Sequence, residues 1–319
     1  MTLRVRADDF VARAALDDED LTRSGPPLVV VDLSGSVPDA VEVGALPAVL
    51  VGLGEASGSL ARSLDLVTDD ERVVAAIERS VTTTPLAAVA LALLLRGRDG
   101  RSAAEALVAE SMTYSLLQAG PEFLAWRAAR RGAPVPADPE PPVLVSIDGT
   151  ILHVTLNRPH RHNAYSVTMR DGLVDALRLA VADPGRRVLL DGAGPSFSSG
   201  GDLGEFGEFG DPATAHAVRL TRSAARLMIE LRDRVEVHVH GACIGAGVEL
   251  PAFAARVVAR PDTKFTLPEL AFGLVPGAGG TASLPPRIGR QRTAQLALTA
   301  EPIDAATALA WGLVDRISG

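Results

Sequence analysis

The stretch 241-GACIGAGVELPAFAARVVARPDTKFTLPEL-270 places two acids in segments whose other residues are mostly apolar or small. Glu249 follows a glycine-rich turn, and Glu269 comes twenty residues later, directly after a proline. A buried carboxylate is costly unless it is paired, hydrogen-bonded or protonated. A lone glutamate of this kind usually forms a salt bridge or lies at the rim of a core. The presence of two therefore requires a further explanation.

Two glycine clusters follow predicted strands. Residues 197-FSSGGDL-203 come after the apolar run 187–191, and residues 245-GAG-247 come after the alternating segment 235–243 and before a predicted helix start at 248–255. Taken singly, either cluster fits a tight turn that needs a positive φ. Open parallel sheets, however, bind ligands at the C-terminal ends of their strands. Backbone N–H groups from both loops would then polarise one carbonyl oxygen as an oxyanion hole.

Strands and helices alternate along the second half of the chain, which predicts an α/β fold with a largely parallel sheet. The segment 143–159 reads as two strands around the hairpin turn Asp148-Gly149. Helical spacing covers 165–182 and 213–233. The remaining predicted strands are 187–193, 235–243, 256–260 and 264–267.

The first half begins with two strand-like runs, 27–33 and 47–54, and is helical from residue 69. Asp69 is the expected N-cap of the first helix, Ser102 with Glu105 fits a capping box, and Gly120 fits a C-cap. The predicted helices are 69–81, 85–97, 102–120 and 121–131.

The composition limits the classes of function. A net charge of −8 and the lack of a Lys/Arg-rich run argue against a nucleic-acid partner. The one cysteine, Cys243, excludes an intrachain disulfide and a cysteine-based metal cluster. The N-terminus lacks a secretory apolar region, and the apolar run 85–95 is shorter than the ~20 residues that span a bilayer. We therefore expect a cytoplasmic protein without a membrane partner.

The histidine spacing gives no reason to expect a metal. His238 and His240 lie on one face of a predicted strand, and no third ligand is evident.

Residues 142–319 resemble the crotonase (enoyl-CoA hydratase/isomerase) superfamily. The motifs that carry the resemblance occur in family order and spacing over about 180 residues. This resemblance implies an α/β fold with a crotonase-like core of repeated ββα units. The motifs are 157-NRPHRHNA-164, 197-FSSGGDL-203, 241-GACIGAGVEL-250, 267-LPELAFGLVPGAGGT-281 and 290-RQRTAQLALTAEPIDAATALAWGLVDRI-317.

The resemblance also implies roles for residues. The backbone N–H groups of Gly201 and Ala246 would polarise an acyl-CoA thioester carbonyl, and Glu249 and Glu269 would flank a catalytic water. No separate cofactor is implied, because coenzyme A is part of the substrate, and the implied assembly is a homotrimer or hexamer. The residues expected to contact the substrate or CoA are Arg161, Ala164, Ser199, Asp202, Leu203 and Gly277.

The proposed chemistry agrees with the residue types. Adding water at Cβ needs a base for the water and an acid for Cα, and two carboxylates in a dry site have coupled, partly raised pKa values. Arg161 is equally well read as a contact to the CoA phosphates or as a solvated surface arginine. Phe206, Phe209 and the helix after residue 213 are expected to shape the acyl pocket.

The helical part resembles a segment that relatives carry at their C-terminal end. Residues 64–133 match that helical tail, which this chain lacks after Gly319, so we expect a permuted order. An unrelated helical extension is the alternative. Aligned on Trp126, the tail's basic CoA contact falls at Ala129, with Arg130 beside it. The expected division is 1–63, a small α/β segment without an assigned function; 64–133, the helical domain; 134–141, a proline-rich linker; and 142–319, the crotonase core.

Three functions are open at the level of the sequence. Retention of both glutamates favours hydration of a 2-enoyl-CoA. The first alternative is an isomerase, another acyl-CoA lyase or an oxygenase of the same fold. The second is a non-catalytic subunit that binds acyl-CoA.

Overall fold

A computed structural model of the chain describes residues 2–15, 25–35, 43–55, 58–130, 138, 140–208 and 211–318. Within these ranges the chain forms three β-sheets covered by helices, so the predicted α/β class is confirmed. The strands are Thr2–Arg6 (β1), Leu28–Asp32 (β2), Val49–Leu53 (β3), Leu66–Thr68 (β4), Val143–Asp148 (β5), Ile151–Leu156 (β6), Arg187–Gly192 (β7), Val235–Val239 (β8), Ala242–Ile244 (β9), Arg256–Ala259 (β10), Lys264–Thr266 (β11), Ile303–Asp304 (β12) and Arg316–Ile317 (β13).

The helices are Ala7–Ala15 (α1), Ser59–Ser63 (α2), Glu71–Thr83 (α3), Pro85–Arg96 (α4), Ala103–Gln118 (α5), Pro121–Ala129 (α6), Val167–Ala182 (α7), Pro212–Thr221 (α8), Ala224–Leu231 (α9), Ala246–Glu249 (α10), Gly280–Ile288 (α11), Arg290–Thr299 (α12) and Ala305–Trp311 (α13). Short 3₁₀ turns cover Pro159–Arg161, Arg232–Arg234, Pro251–Phe253 and Glu269–Phe272.

The first sheet is parallel with the order β1-β2-β3-β4. Its central strands β2 and β3 are the two that the sequence predicted, because both are buried on both faces and read as continuous apolar runs. The edge strand β1 and the three-residue strand β4 were not predicted. Strand β4 belongs to this sheet but lies after residue 63, where the predicted small α/β segment ends. The domain boundaries remain a prediction.

The four predicted helices of the first half are present as α3 to α6, with corrected ends. The N-cap of α3 is Asp70 and not Asp69, because the Asp70 carboxylate accepts the Arg72 N–H at 2.8 Å. The capping box of Ser102 and Glu105 is confirmed. Helix α5 ends at Gln118 with Ala119 as its C-cap, and Gly120 instead precedes Pro121 as the N-cap of α6.

The second sheet has the order β13-β10-β8-β7-β6-β5 and forms the core of the second half. All its neighbours are parallel except the predicted hairpin β5–β6, whose turn contains Gly149. A third sheet, β12-β11-β9, lies beside it. The predicted strand 235–243 therefore contributes to two sheets. It divides at Gly241, where φ is 56° and the backbone packs closely on the Pro195 carbonyl.

Two predicted helices are shorter than expected. The segment 213–233 forms α8 and α9, because the chain breaks at Arg222 and Ser223 caps the second helix by accepting the Arg226 N–H at 3.2 Å. The helix expected at 248–255 begins earlier and has one turn, α10. Pro251 follows it, has no N–H to donate, and starts a 3₁₀ turn.

A continuous apolar core joins the two halves. It runs from β2 and β3 through α3 to α5 and into the second sheet. Among the described residues no single helix is long and apolar enough to cross a membrane; α3 and α4, bent by 116°, meet that criterion only as a pair. Most of the proline-rich linker lies outside the described residues, although Asp138 accepts a hydrogen bond from Arg158 Nε at 2.7 Å.

Candidate active site

A cavity of ≈ 360 Å³ lies where the helical region meets the core. Helix α5 forms one wall, α8 and α9 form another, and the two glycine loops close it on the core side. Its lining brings together residues that are far apart in the sequence. The predicted site residues that line it are Glu249, Glu269, Gly201, Ala246, Asp202 and Gly277.

The two glycine loops pack backbone against backbone. The Ser198 N–H donates to the Ala242 carbonyl at 3.1 Å, and the Ile244 N–H donates to the Ser198 carbonyl at 3.0 Å. Gly200 has a φ of 83°, and a Cβ there would lie 2.8 Å from the Ile244 carbonyl oxygen. The approach of these loops therefore requires a residue without a side chain at Gly200.

Two residues of this junction, Gly201 and Ala246, line the cavity. The neighbours of Gly201 pair with Tyr165, since the Tyr165 N–H donates to the Gly200 carbonyl at 2.7 Å and the Asp202 N–H donates to the Tyr165 carbonyl at 3.1 Å. The Gly201 N–H takes no part in this pairing, and the Ala246 N–H is at the first position of α10. Within the described ranges neither N–H donates to an acceptor of the protein. Two donors are thus available for a ligand oxygen.

Glu249 is buried at the C-terminal end of α10, and its Oε2 accepts two backbone N–H groups. These belong to Ala278 and Gly280, each at 2.8 Å. A Cβ at position 280 would lie 2.9 Å from Oε2, so glycine permits the contact. Burial raises the pKa of Glu249 to about 7, while the hydrogen bonds from Gly280 and Ala278 oppose the rise by favouring the carboxylate.

Glu269 begins a 3₁₀ turn and has a different environment. Its Oε2 is buried and has no hydrogen-bond partner among the described residues. A Cβ at Gly245 would overlap Oε1 of Glu269, so this glycine makes room for the carboxyl group. Burial, and next the charge of Glu249, raise the pKa of Glu269 well above 4.5. Ionisation of Glu249 therefore disfavours ionisation of Glu269, and Glu269 holds its proton more firmly than an exposed glutamate.

A third buried acid, Glu110 in α5, was missed by the sequence analysis. It accepts the Gly279 N–H at 2.7 Å, and the Thr281 N–H and hydroxyl at 2.8 and 2.7 Å. Burial, and next the charge of Glu249, raise its pKa to about 8. Helical spacing placed this residue inside an apolar helix, but no local pattern distinguished it from a salt-bridged surface glutamate.

The remaining predicted contacts lie outside the cavity lining. Arg161 is partly exposed and pairs with Asp202 Oδ1 at 3.2 Å. The Ser199 hydroxyl donates to the Arg161 carbonyl at 3.3 Å, and the buried Ala164 offers its carbonyl to Arg158 at 2.7 Å. Leu203 lies in the turn after Asp202 and does not line the cavity.

Asp202 lines the cavity mainly as an ion-pair partner. Its Oδ2 accepts from Arg158 at 3.0 Å, and both side chains are buried. Burial disfavours the Asp202 carboxylate, but the hydrogen bonds from Gly204 N–H and Arg158 outweigh burial and lower its pKa. This carboxylate is therefore charged and anchors the glycine loop.

Aromatic contacts connect helix α6 to the site. The centroid of the Trp126 ring lies 5.0 Å from that of Phe272 and 6.2 Å from that of Phe206. Phe272 is in the turn that carries Glu269. Phe206 lines the cavity as predicted, and Phe209 is outside the described residues. Ala129 ends α6, and the Arg130 guanidinium stacks on Trp126 at 4.8 Å from the ring centroid.

Tyr114 and Arg219 also line the cavity and were not predicted. The Tyr114 ring packs on Gly277, where a Cβ would overlap it. The Arg219 guanidinium lies over the same ring, 4.8 Å from its centroid. On one side Tyr114 thus contacts Gly277, which directly precedes the Ala278 amide that donates to Glu249. On the other side it contacts the Arg219 cation.

The two histidines of the predicted strand bind neighbouring protein groups. His238 hydrogen-bonds to Glu236 at 2.7 Å, and His240 hydrogen-bonds to the Gly194 carbonyl at 2.9 Å.

This fold, with two glycine loops meeting over buried carboxylates, belongs to the crotonase superfamily. The family model described as enoyl-CoA hydratase/isomerase matches residues 146–319, and the chain belongs to that family. Its members are lyases and isomerases, and this chain is an enzyme of that class. The predicted family and its crotonase-like fold are thereby confirmed.

Relatives with both kinds of activity are similar to this chain. A 2,3-dehydroadipyl-CoA hydratase of Escherichia coli (strain K12) is 34% identical over 176 residues, covering 55% of this chain and 68% of the relative. A 1,2-epoxyphenylacetyl-CoA isomerase of the same strain is 33% identical over 183 residues, covering 55% and 69%.

Solved structures give the same result for the fold. An enoyl-CoA hydratase of Mycobacterium smegmatis is 30% identical, with a TM-score of 0.52 over 56% of this chain and 71% of its own. A structure from Thermobifida fusca YX, described as an enoyl-CoA hydratase in complex with CoA, is 32% identical with a TM-score of 0.51, covering 56% and 72%. The family model leaves residues 1–145 of this chain unmatched.

Proposed function

We propose that the protein is an enoyl-CoA hydratase, which adds water across the double bond of a 2-enoyl-CoA thioester. The observation that carries the proposal is that Glu249 and Glu269 line the same cavity as Gly201 and Ala246, whose N–H groups donate to no acceptor among the described residues. The relative solved with CoA supports a CoA thioester as the ligand.

The environments of the two acids suggest their roles. Glu249 accepts two amide hydrogen bonds, which favour its carboxylate, so it is the base that removes a proton from water as the oxygen attacks Cβ. Glu269 has a raised pKa and a buried Oε2 that no described residue hydrogen-bonds, so it is the acid that gives its proton to Cα. The charge that develops on the thioester oxygen would be stabilised by the amides of Gly201 and Ala246. After turnover Glu249 is protonated and Glu269 is ionised, and exchange with solvent restores both.

Isomerisation is the second candidate, and one observation favours it. Oε2 of Glu249 accepts two amide hydrogen bonds, whereas Oε2 of Glu269 is buried without a hydrogen-bond partner among the described residues. A single glutamate of this kind would suffice to move a proton from Cα to Cγ of a 3-enoyl-CoA, which shifts the double bond into conjugation with the thioester.

One assay distinguishes the two reactions. We would follow the conjugated thioester absorbance with crotonyl-CoA, longer 2-enoyl-CoA and 3-enoyl-CoA substrates, using wild type, Glu249→Gln and Glu269→Gln. A hydratase should lose about 10²- to 10⁴-fold in kcat in each variant. Isomerisation of 3-enoyl-CoA that survives in Glu249→Gln, without hydration by wild type, would favour the isomerase. Binding of the thioesters without turnover of any substrate would argue for a non-catalytic subunit.

A further inference from the structure

Arg219, in α8, is a partly buried cation on the wall of the cavity. Its Nε donates to the Ser111 hydroxyl at 3.1 Å, its Nη1 to Gln118 Oε1 at 3.3 Å, and its Nη2 to the Ser115 hydroxyl and the Ser111 carbonyl. All these acceptors are neutral. In the part of the chain that the structure describes, Arg219 forms no ion pair with a carboxylate.

The other arginines around the cavity are compensated. Arg170 and Arg222 both pair with Asp171, at 2.9 and 3.1 Å. Arg226 is exposed, so water solvates its charge. Arg219 therefore differs from its neighbours, because it is partly withdrawn from water and has no described carboxylate within ion-pair distance.

An arginine in this setting favours an anionic ligand. Removing a charge from water is costly unless an opposite charge or strong hydrogen bonds compensate it. Burial lowers the pKa of Arg219, which reflects that cost, although an arginine stays protonated. Four of the five guanidinium N–H groups already donate to these neutral acceptors, so Arg219 would hold a carboxylate or phosphate through its charge and its remaining Nη1 N–H.

The position of Arg219 relates this anion to the acyl chain. The Tyr114 ring contacts Gly277, the residue before the Ala278 amide that binds Glu249, and Arg219 stacks on that ring. Apolar side chains continue the same wall, among them Leu107, Ala215 and Val218. A chain that extends from the reacting carbons past Tyr114 would bring its far end to Arg219.

We propose that Arg219 binds a carboxylate at the distal end of the acyl chain, so that the preferred substrates are 2-enoyl-CoA thioesters ending in an acid. The proposal rests on the hydratase function above and specifies its substrate class. An anion at Arg219 has a second possible source, the phosphates of CoA itself. That source would make Arg219 equally important for every CoA thioester, whatever the end of its acyl chain.

The test compares matched substrates in matched variants. Pairs of 2-enoyl-CoA thioesters of equal chain length, ending in either a methyl group or a carboxylate, are assayed with wild type, Arg219→Met, Arg219→Lys and the control Arg222→Met. Circular dichroism and the melting temperature check the fold of each variant. We expect Arg219→Met to lower the ratio of kcat/KM for carboxylate over methyl substrates about 10- to 100-fold. Arg219→Lys should keep part of the ratio, and Arg222→Met should leave it within about threefold.

Two results would overturn the proposal. One is a wild-type enzyme without preference for the carboxylate substrate at any chain length. The other is an equal loss for both substrates in Arg219→Met, which would assign the arginine to CoA phosphates or to helix packing. If wild type hydrates neither substrate, the hydratase function fails, and binding constants for saturated thioesters with the same two ends still test Arg219. An equal effect of Arg219→Met on both constants would then reject the carboxylate site.

Discussion

The core of residues 142–318 and the helical region of residues 71–129 contribute differently to one cavity. The core supplies the glycine loops, Glu249 and Glu269, and it is the part that the family model matches from residue 146. The helical region supplies Glu110 and Tyr114, and Trp126 packs on the turn that carries Glu269. Family likeness thus identifies the groups proposed to react, while the first half contributes one of the walls around them.

Two glutamates make the contrast concrete. Glu249 from the core and Glu110 from α5 accept N–H groups from the same segment, 278–281, in alternation. Both carboxyl groups are buried and have raised pKa values. Glu249 comes with a recognisable glycine motif, whereas Glu110 has only its place on an apolar helix. We expect the core glutamates to control turnover and Glu110 to control stability.

The largest effect should come from Gly245→Ala in the core. The added Cβ would overlap Oε1 of Glu269, and a φ of 50° is unfavourable for alanine. Displacement of a catalytic group by about 1 Å costs about 100-fold in rate, so hydration of crotonyl-CoA should fall by that factor. Gly149→Ala is the matched control, because its φ is 54° and its Cβ would meet nothing within 4 Å. Equal loss of activity in both variants would contradict the role of Gly245 in making room for Glu269.

A smaller effect, on stability, should come from Glu110→Ala in the helical region. Two buried N–H groups, of Gly279 and Thr281, would lose their acceptor, and we expect the free energy of unfolding to fall by about 3 kcal/mol. Urea denaturation measures this. Glu122→Ala removes a similar cap, on Leu86 and Ala87, in a partly solvated position and should cost less. A larger loss in Glu122→Ala would show that burial at Glu110 contributes little.

A third effect is a dependence of stability on pH. Because the pKa values of Glu249 and Glu110 are raised to about 7 and about 8, the folded protein keeps protons that the unfolded chain releases above 4.5. Their contribution is therefore fully present below 4.5 and is lost as the pH rises through 7 and 8. Urea denaturation between about pH 5 and about pH 8.5 should show this decline, and Glu110→Gln should reduce it. An unchanged slope in Glu110→Gln would place the titration on other groups.

Local patterns were sufficient for most elements and failed where tertiary packing decided. The apolar runs of β2 and β3, the Asp148-Gly149 hairpin and the capping box at Ser102 were predicted because neighbours in sequence determine them. The edge strand β1 was missed because its partner is β2, more than twenty residues away. The break between α8 and α9 was missed because Ser223 reads as helical until its cap is seen.

The sequence by itself determined the α/β class, the family and the four groups proposed for the chemistry, Gly201, Ala246, Glu249 and Glu269. It did so because glycine turns and carboxylates within apolar segments can be recognised in short stretches of sequence, and because these motifs occur in the order typical of the family. Only the tertiary structure decided that Arg161 lies outside the cavity lining, and that Glu110, Tyr114 and Arg219 form its other walls. Those three side chains lie on helices. The spacing of apolar residues predicts which face of a helix is buried but not which segment packs on that face, because packing between distant segments is set by the whole fold.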